Sequence, residues 1–467
     1  MSFVFEKDIA SALADTAQGA ATWRATARFK TGRVAATGQL PDYQELRAQA
    51  NALKRHAINH LDWYLQEFEK NVQARGGVVH WCQDGAEAAD VVLQIAKRRD
   101  AHLIVKSKSM TTEEIHLNER LGHHGLESVE TDLGEYIIQL LDQRPFHIIA
   151  PALNLTRYDV AKVFEEKLGV PYDAEIPRQT QTARAVLREK FLEAGIGISG
   201  ANFLVADSGA IVLVENEGNA RLTTTAPRVH IAVAGIEKVI PRAQDLAVFL
   251  KLLARSATGQ PLSVYTSFLS GPKRGGEVDG PEEFHVILLD GGRTKLLADK
   301  DKRQSLYCIR CGACLNTCPV YRRIGGHSYP WVYSGPIGAI LTPQFHGTEM
   351  EPGLPFASSL CGACGEVCPV KIDIPHVLLK LRQEVKAAEE AQGAGQAERA
   401  AFRAYAFAAT RPKIWRLAAK AARAAQRRTP KSVMAAAGPA KAWASEREIP
   451  LMPAKSFREL WRERTSK

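Results

Sequence analysis

Apolar positions in the first seventy residues recur three and four apart: Leu46, Ala50, Leu53 and His56, then Leu61, Tyr64, Leu65 and Phe68. That period puts them on one face of a helix, and it predicts a helical segment over residues 1–70. Gly76-Gly77 ends the pattern. Beyond it, short apolar runs alternate with helical periods. Strands are predicted at 78–81, 102–106 and 146–150, and helices over 86–98, 113–121, 157–168 and 182–194. Two more strands are predicted, 196–207 and 209–215, separated by a Ser208-Gly209 turn. Strand and helix in alternation predict an α/β domain with a largely parallel sheet over 71–295. The polar, Gly-bearing stretch 216–227 follows a strand, where open α/β sheets place ligands. A short helix over 296–307 leads into a cysteine-bearing domain, 296–388. There Val377, Leu378, Leu381 and Val385 mark a helical stripe. The tail, 389–467, is helical to about Ala425 and closes on an amphipathic turn at Phe457–Trp461.

Composition changes this picture little. At 467 residues, with 45% hydrophobic and 24% charged positions, the chain suits a soluble globular protein of two or three domains. No apolar run approaches a membrane span. Glu6, Asp8 and Asp15 near the start, with no apolar stretch beside them, argue against secretory and transit peptides. A cytoplasmic, reducing location is expected, either free or on the inner face of the membrane. Charge is more telling. The net charge is +10, yet residues 391–467 alone carry 17 Lys/Arg against 5 Asp/Glu. An anionic membrane surface, the quinone pool or a partner protein is a candidate for that tail. Nucleic acid is not expected, because no binding motif accompanies the charge. Arg24, Arg28, Lys30 and Arg33 read as a solvated face.

Seven of the eight cysteines fall in two runs. The first is Cys308-Ile-Arg-Cys311-Gly-Ala-Cys314-Leu-Asn-Thr-Cys318-Pro319. The second is Ser358-Ser-Leu-Cys361-Gly-Ala-Cys364-Gly-Glu-Val-Cys368-Pro369. The first run has the C-x₂-C-x₂-C-x₃-C-P spacing of ferredoxins, in which three thiolates hold one iron–sulfur cluster and the fourth reaches another. Structural zinc sites use paired C-x₂-C and lack this triple, and a reducing compartment does not keep disulfides. Cross-ligation predicts one cluster on Cys308, Cys311, Cys314 and Cys368, and a second on Cys318, Cys361 and Cys364. The second is one thiolate short, because Ser358 stands where the repeat calls for cysteine. A [3Fe–4S] cluster, a [4Fe–4S] cluster with a serine or solvent ligand, and a cluster with one functionally distinct iron all fit the spacing. Cys82, on a predicted strand, reads as a buried apolar residue. His327 reads as a plain loop histidine. No GxGxxG fingerprint follows a predicted strand, so flavin or NAD binding by that motif is not expected.

Three stretches carry a resemblance: Lys106-Ser-Lys-Ser-Met110, Glu130-Thr-Asp-Leu-Gly-Glu135 and the run from Gly197 to Pro227. They resemble the LUD domain of lactate utilisation proteins. LUD domain followed by ferredoxin pair is similar, over nearly the whole chain, to the iron–sulfur proteins of that family. The resemblance implies a CoA-transferase-like α/β fold of the NagB/RpiA type, followed by an α-helical ferredoxin domain with two [4Fe–4S] clusters. It implies an electron-carrying role in oxidation of L-lactate to pyruvate, with two partners, a cysteine-rich subunit and a second LUD-domain protein. The cysteine–helix arrangement also resembles ferredoxin modules of succinate dehydrogenase and heterodisulfide reductase. In the succinate dehydrogenase type the missing cysteine is the middle one of the second triple, whereas here it is the first, so that three-iron assignment does not transfer. An alternative follows from Val214-Glu215-Asn216-Glu217-Gly218, which resembles the catalytic-glutamate loop of CoA transferases. Glu215 would then attack an acyl carrier. A carboxylate site at Asn219, Arg221 and Thr223 is expected from loop placement.

Overall fold

The computed structural model describes residues 5–393, 395–430, 433, 434, 441, 444 and 447–465. The chain divides into two compact units, Met1–Val385 and Lys386–Lys467. In the first, helices Phe5–Ala14, Thr16–Gly38, Tyr43–Asn59 and Leu61–Ala74 open the chain. The 3.6-residue period thus runs on to Ala74. Leu46, Ala50, Leu61, Leu65 and Phe68 are buried as that period predicts.

Among the described residues ten strands follow: β1 (Val78–Cys82), β2 (Leu103–Lys106), β3 (Glu127–Glu130), β4 (Ile196–Ser199), β5 (Phe203–Val205), β6 (Ala210–Glu215), β7 (Val229–Gly235), β8 (Val239–Ile240), β9 (Tyr265–Leu269) and β10 (Glu283–Leu289). Six form a sheet in the order β1-β10-β7-β4-β2-β3, every neighbouring pair parallel. Strands β4 and β7 are buried at every position. Cover on both faces is what a parallel sheet requires, and it explains why these strands read as unbroken apolar runs. Cys82 is buried at the end of β1. A smaller sheet, β8-β5-β6-β9, combines antiparallel β5–β6 and β6–β9 with parallel β5–β8.

Five predicted elements come out differently. The strand expected over 196–207 breaks into β4 and β5, which join different sheets. Residues 146–150 form no strand. Pro145 and Pro151 flank them, and the Phe146 N–H donates to the Pro151 carbonyl (2.9 Å) in a tight loop. Their apolar pattern records burial against the cysteine domain instead. Tyr321 Oη donates to the Phe146 carbonyl (2.9 Å), and His147 Nε2 meets Asn316 Oδ1 (3.1 Å). Gly326 passes so close that a Cβ there would sit 1.7 Å from the Phe146 oxygen. The helix expected over 113–121 is split into Met110–Glu114 and Leu117–His123, because His116 adopts a left-handed backbone (φ 52°). The stretch 216–227 is not all loop but holds the helix Asn219–Thr225. The lead into the cysteines is a helix, Arg293–Ala298, and a separate 3-10 turn, Arg303–Tyr307.

The second unit carries helices Gln396–Ala409, Pro412–Arg428 and Phe457–Thr465, none with a buried residue. Tyr405 packs edge-on against Trp415, with centroids 5.8 Å apart. Gln426 Nε2 donates to the Pro450 carbonyl (2.8 Å). No helix of the described residues is long and apolar enough to cross a membrane.

Candidate functional site

The two cysteine runs repeat one backbone design. Arg310 and Leu360, each one residue before a cysteine, both take left-handed φ (60° and 54°), and Gly312 and Gly362 follow at 72° and 81°. Non-glycine residues in that region cost about 1–3 kcal/mol each, and the chain bears the cost twice at equivalent places. Five-residue helices, Ala313–Thr317 and Ala363–Val367, come next, ending at Cys318 and Cys368.

Cys308, Cys311, Cys314 and Cys368 line one cavity, whose apolar walls include Ile148, Ile337, Ile372 and Ile374. Cys318, Cys361 and Cys364 form a second group. Cys318 feels the charge of Cys361, and Cys364 feels both of the others. Cys314 also feels Cys364, so the two groups adjoin. Burial, with added repulsion from neighbouring thiolates, raises Cys368 to about 11 and Cys364 to about 12. Cys311 and Cys314 are also raised, by burial first and by neighbouring thiolates. Cys361 is exposed, and it is lowered by the Ala363 N–H and then by the Ser359 hydroxyl. Thiols that oppose each other's ionisation in a dry cavity suit a cationic core, which takes thiolates without leaving their charge unpaired. Among the described residues no group of three or more His, Cys, Asp or Glu is arranged to hold a single metal ion.

Backbone N–H groups already point at the sulfurs: Arg310 to Cys308 Sγ (3.4 Å), Tyr321 to Cys318 Sγ (3.5 Å) and Ile372 to Cys368 Sγ (3.4 Å). Ser358 Oγ accepts the Leu360 N–H (3.1 Å), and the Ser358 carbonyl accepts from Arg382 Nη2 (2.9 Å). His327 sits away from the sulfurs in a loop, with Nε2 2.8 Å from the Arg144 carbonyl.

Sequence reasoning missed what steadies these loops. Arg47, on an N-terminal helix, donates from Nε and Nη2 to the Cys368 carbonyl (2.9 and 2.7 Å), and Asn51 donates to the Val370 carbonyl (2.7 Å). Arg322 donates to Thr26 Oγ1 (3.0 Å) and stacks over Trp23, 3.5 Å from the ring centroid. The N-terminal helices therefore clamp the cysteine loops, and only the exposed Arg24, Arg28 and Lys30 form the solvated face. Beneath Cys308 lies a buried ionic network. Arg293 donates to Glu114 (2.9 and 2.7 Å) and to Glu237 (2.5 Å). Arg310 reaches Glu237 (3.4 Å) and Tyr333 (3.1 Å), and Tyr333 donates to Glu114. Burial alone would raise Glu237, but Arg293 and then Arg310 bring it down to about 2.

The α/β part holds a separate cavity of about 280 Å³. All three stretches that suggested a LUD domain contribute to its lining. Lys106 pairs with Glu130 (2.5 Å), and Lys108 Nζ lies 3.7 Å from Glu135. Burial opposes the charge on Lys106, and Glu113 and Glu130 more than offset it, holding the lysine protonated. Glu215 faces this cavity, but its two oxygens accept the Ala220 and Arg221 N–H groups (2.8 and 2.9 Å). The expected carboxylate site does not assemble. Asn219 lines the cavity, whereas Arg221 is exposed over Tyr265 and Thr223 is fully buried against Thr131. A seven-residue helix turns the three side chains in different directions.

Comparison with known proteins agrees along the whole chain. Residues 65–289 match the LUD domain family, 304–372 the 4Fe-4S dicluster domain, and 380–466 the family "Lactate utilisation protein B, C-terminal". The chain is 41% identical to lactate utilization protein B of Bacillus licheniformis, covering 98% of this chain and 96% of that one. It is 43% identical to the Bacillus subtilis protein of the same name, covering 94% and 91%. A crystal structure of a DUF162 family protein from Deinococcus radiodurans aligns with 49% of this chain and 98% of its own, at 15% identity and a TM-score of 0.28.

Proposed function

Because this chain belongs to the lactate utilisation protein B family, with a LUD domain and an iron–sulfur domain, we propose that it is the electron-transfer subunit of a lactate-oxidising system. Its role in lactate utilisation follows from the family. The electron-transfer role rests on one observation: four cysteines line one cavity, and the remaining three of the two runs group beside it. In this reading Cys308, Cys311, Cys314 and Cys368 hold a first [4Fe–4S] cluster, and Cys318, Cys361 and Cys364 a second with one non-cysteinyl corner. When bound, such clusters accept and release one electron each.

The chain's own residues hold the thiols in place and set their surroundings. The left-handed turns at Arg310 and Leu360 aim the sulfurs, and Arg47 and Asn51 pin the loop around Cys368. Amide N–H groups on Cys308, Cys318 and Cys368 stabilise negative charge at sulfur. Cys361 is the exposed member, which makes the second group the natural point of exchange with a partner. A cysteine-rich subunit and a second LUD-domain protein are the proposed partners. The CoA-transferase-like assignment of the α/β part belongs to the same proposal, supported by its six-stranded parallel sheet. With both Glu215 oxygens engaged by backbone N–H groups, no observation favours acyl transfer.

The test is iron and sulfide analysis with EPR on anaerobically purified protein, wild type beside Cys311→Ser and Cys364→Ser. Each variant is expected to lose a different signal. Loss of the same signal from both would overturn the cross-ligation. A wild-type signal that no reductant changes would overturn the electron-transfer role.

A further inference from the structure

The cavity in the α/β part has an unusual balance of charge. Its acidic side chains are already engaged by the backbone. Glu215 accepts two N–H groups, Glu217 accepts the Leu133 N–H (3.1 Å), and Asp132 accepts the Glu135 N–H (3.1 Å). Its cations are only partly engaged: Arg310 is held through Glu237 (3.4 Å) and Tyr333 (3.1 Å), and Lys108 meets Glu135 only at ion-pair distance. Arg310 is more than nine-tenths buried, and its Nη1 has no hydrogen-bond partner. Lys108 Nζ is buried and likewise lacks one, its closest carboxylate being 3.7 Å away. Lys238 is 9% exposed, with no carboxylate within 4 Å among the described residues. All three line the same cavity. Buried cationic donors without acceptors are rare in folded proteins, and they mark places where a partner is missing. Burial holds Lys238 down to about 8, which an anion beside it would reverse.

We propose that this cavity binds a small organic carboxylate, its negative end held by Lys238, Arg310 Nη1 and Lys108. That the anion is a carboxylate rests on the lactate-utilisation reading; that it is an anion rests on the cavity alone. Three points set this site apart from the surface around Arg221. It is a concave pocket, its donors are desolvated, and charge-assisted hydrogen bonds gain most there. The site also borders the cysteines, because Ile148 and Arg310 line both this cavity and the four-cysteine one. A ligand here rests against the same wall as the first cysteine group.

The test is calorimetric titration of the anaerobically purified full-length protein with pyruvate, L-lactate and inorganic phosphate, using wild type, Lys238→Met and Lys108→Met. Wild type is expected to bind at least one of the two carboxylates. Either substitution should weaken binding about ten- to a hundredfold, the worth of one charged hydrogen bond. Methionine keeps the unbranched stem, and circular dichroism checks that each variant folds; Lys238→Met, with no carboxylate partner to strand, carries the test alone if Lys108→Met, which takes the nearest cation from Glu135, does not fold. No binding of any anion, or binding unchanged in both variants, would overturn the site. Phosphate bound with neither carboxylate would overturn the ligand class. The iron, sulfide and EPR test of the cysteine variants is unaffected by either failure, so the electron-transfer reading stands or falls separately.

Discussion

Arg293 is fully buried and ties three segments together, which makes Arg293→Met a sharp test of the ionic network. The guanidinium serves Glu114 on one side and Glu237 on the other. Its removal leaves Glu237 with the longer Arg310 contact at 3.4 Å. Two routes give the magnitude. Holding Glu237 at about 2 against an ordinary 4.5 corresponds to about 3 kcal/mol favouring its charged form. Removing one partner of a buried ion pair costs about 3–5 kcal/mol. The two agree, and the loss is a large part of the roughly 5–15 kcal/mol that stabilises a typical domain. The measurement is urea unfolding of wild type and variant, followed by far-UV circular dichroism between pH 7 and pH 3. The pH adds a signature. Glu237 is depressed in the folded state, so its contribution is complete above 4.5 and disappears as pH falls towards 2. Wild type should therefore lose stability steeply below 4.5, and Arg293→Met should show a shallower acid slope from a lower start. A deficit under about 1 kcal/mol at pH 7, or equal acid slopes, would refute the reasoning.

Other expectations concern the corner without a thiolate and the tail. Ser358→Cys should slow iron loss from the second cluster under ferricyanide, followed by the near-isotropic EPR signal of a three-iron form. Unchanged lability, or earlier decay of the first cluster, would mean that Ser358 does not face that corner. Deleting 391–467 should leave iron content intact but reduce co-sedimentation with anionic vesicles or capture of the partner subunits. In the full chain that association should fall as salt rises, since surface charge is screened within about 8 Å at physiological ionic strength. Loss of iron on deletion would give the tail a structural role instead.

Much of the site was legible because ligand spacing is local. The curl of each cysteine run is dictated by residues next to one another, and the helix stripe at Val377, Leu378, Leu381 and Val385 reads directly as burial. What stayed hidden was long-range and polar. Nothing marks Arg47, Arg293 or Glu114 as interior residues, since isolated charges read as surface. Their partners lie far along the chain, 321 residues away for Arg47 and Cys368. Residues 146–150 misled for a related reason. An apolar run reports that a segment is buried, not which neighbour buries it, and here that neighbour is the cysteine domain rather than a sheet. Loop position alone does not place Arg221, because the helix Asn219–Thr225 rotates it outward over Tyr265.

The seam between the α/β part and the cysteine loops bears on how such a chain can be cut or recombined. In sequence the two look like beads on a string, joined near 296–303. In space they share a core: Phe146 and Ile148 lie in one apolar cluster with Tyr321, Tyr329 and Ile337, and Arg293, Glu237 and Arg310 close over the join. A fragment ending at residue 295 would bare that apolar surface and leave Glu237 without Arg310. A fragment starting at 296 would lose Glu114, Glu237 and the Arg47 clamp together. Neither piece is therefore a transplantable cassette, and a gene fusion or split has to keep them in one reading frame or restore the seam between two chains.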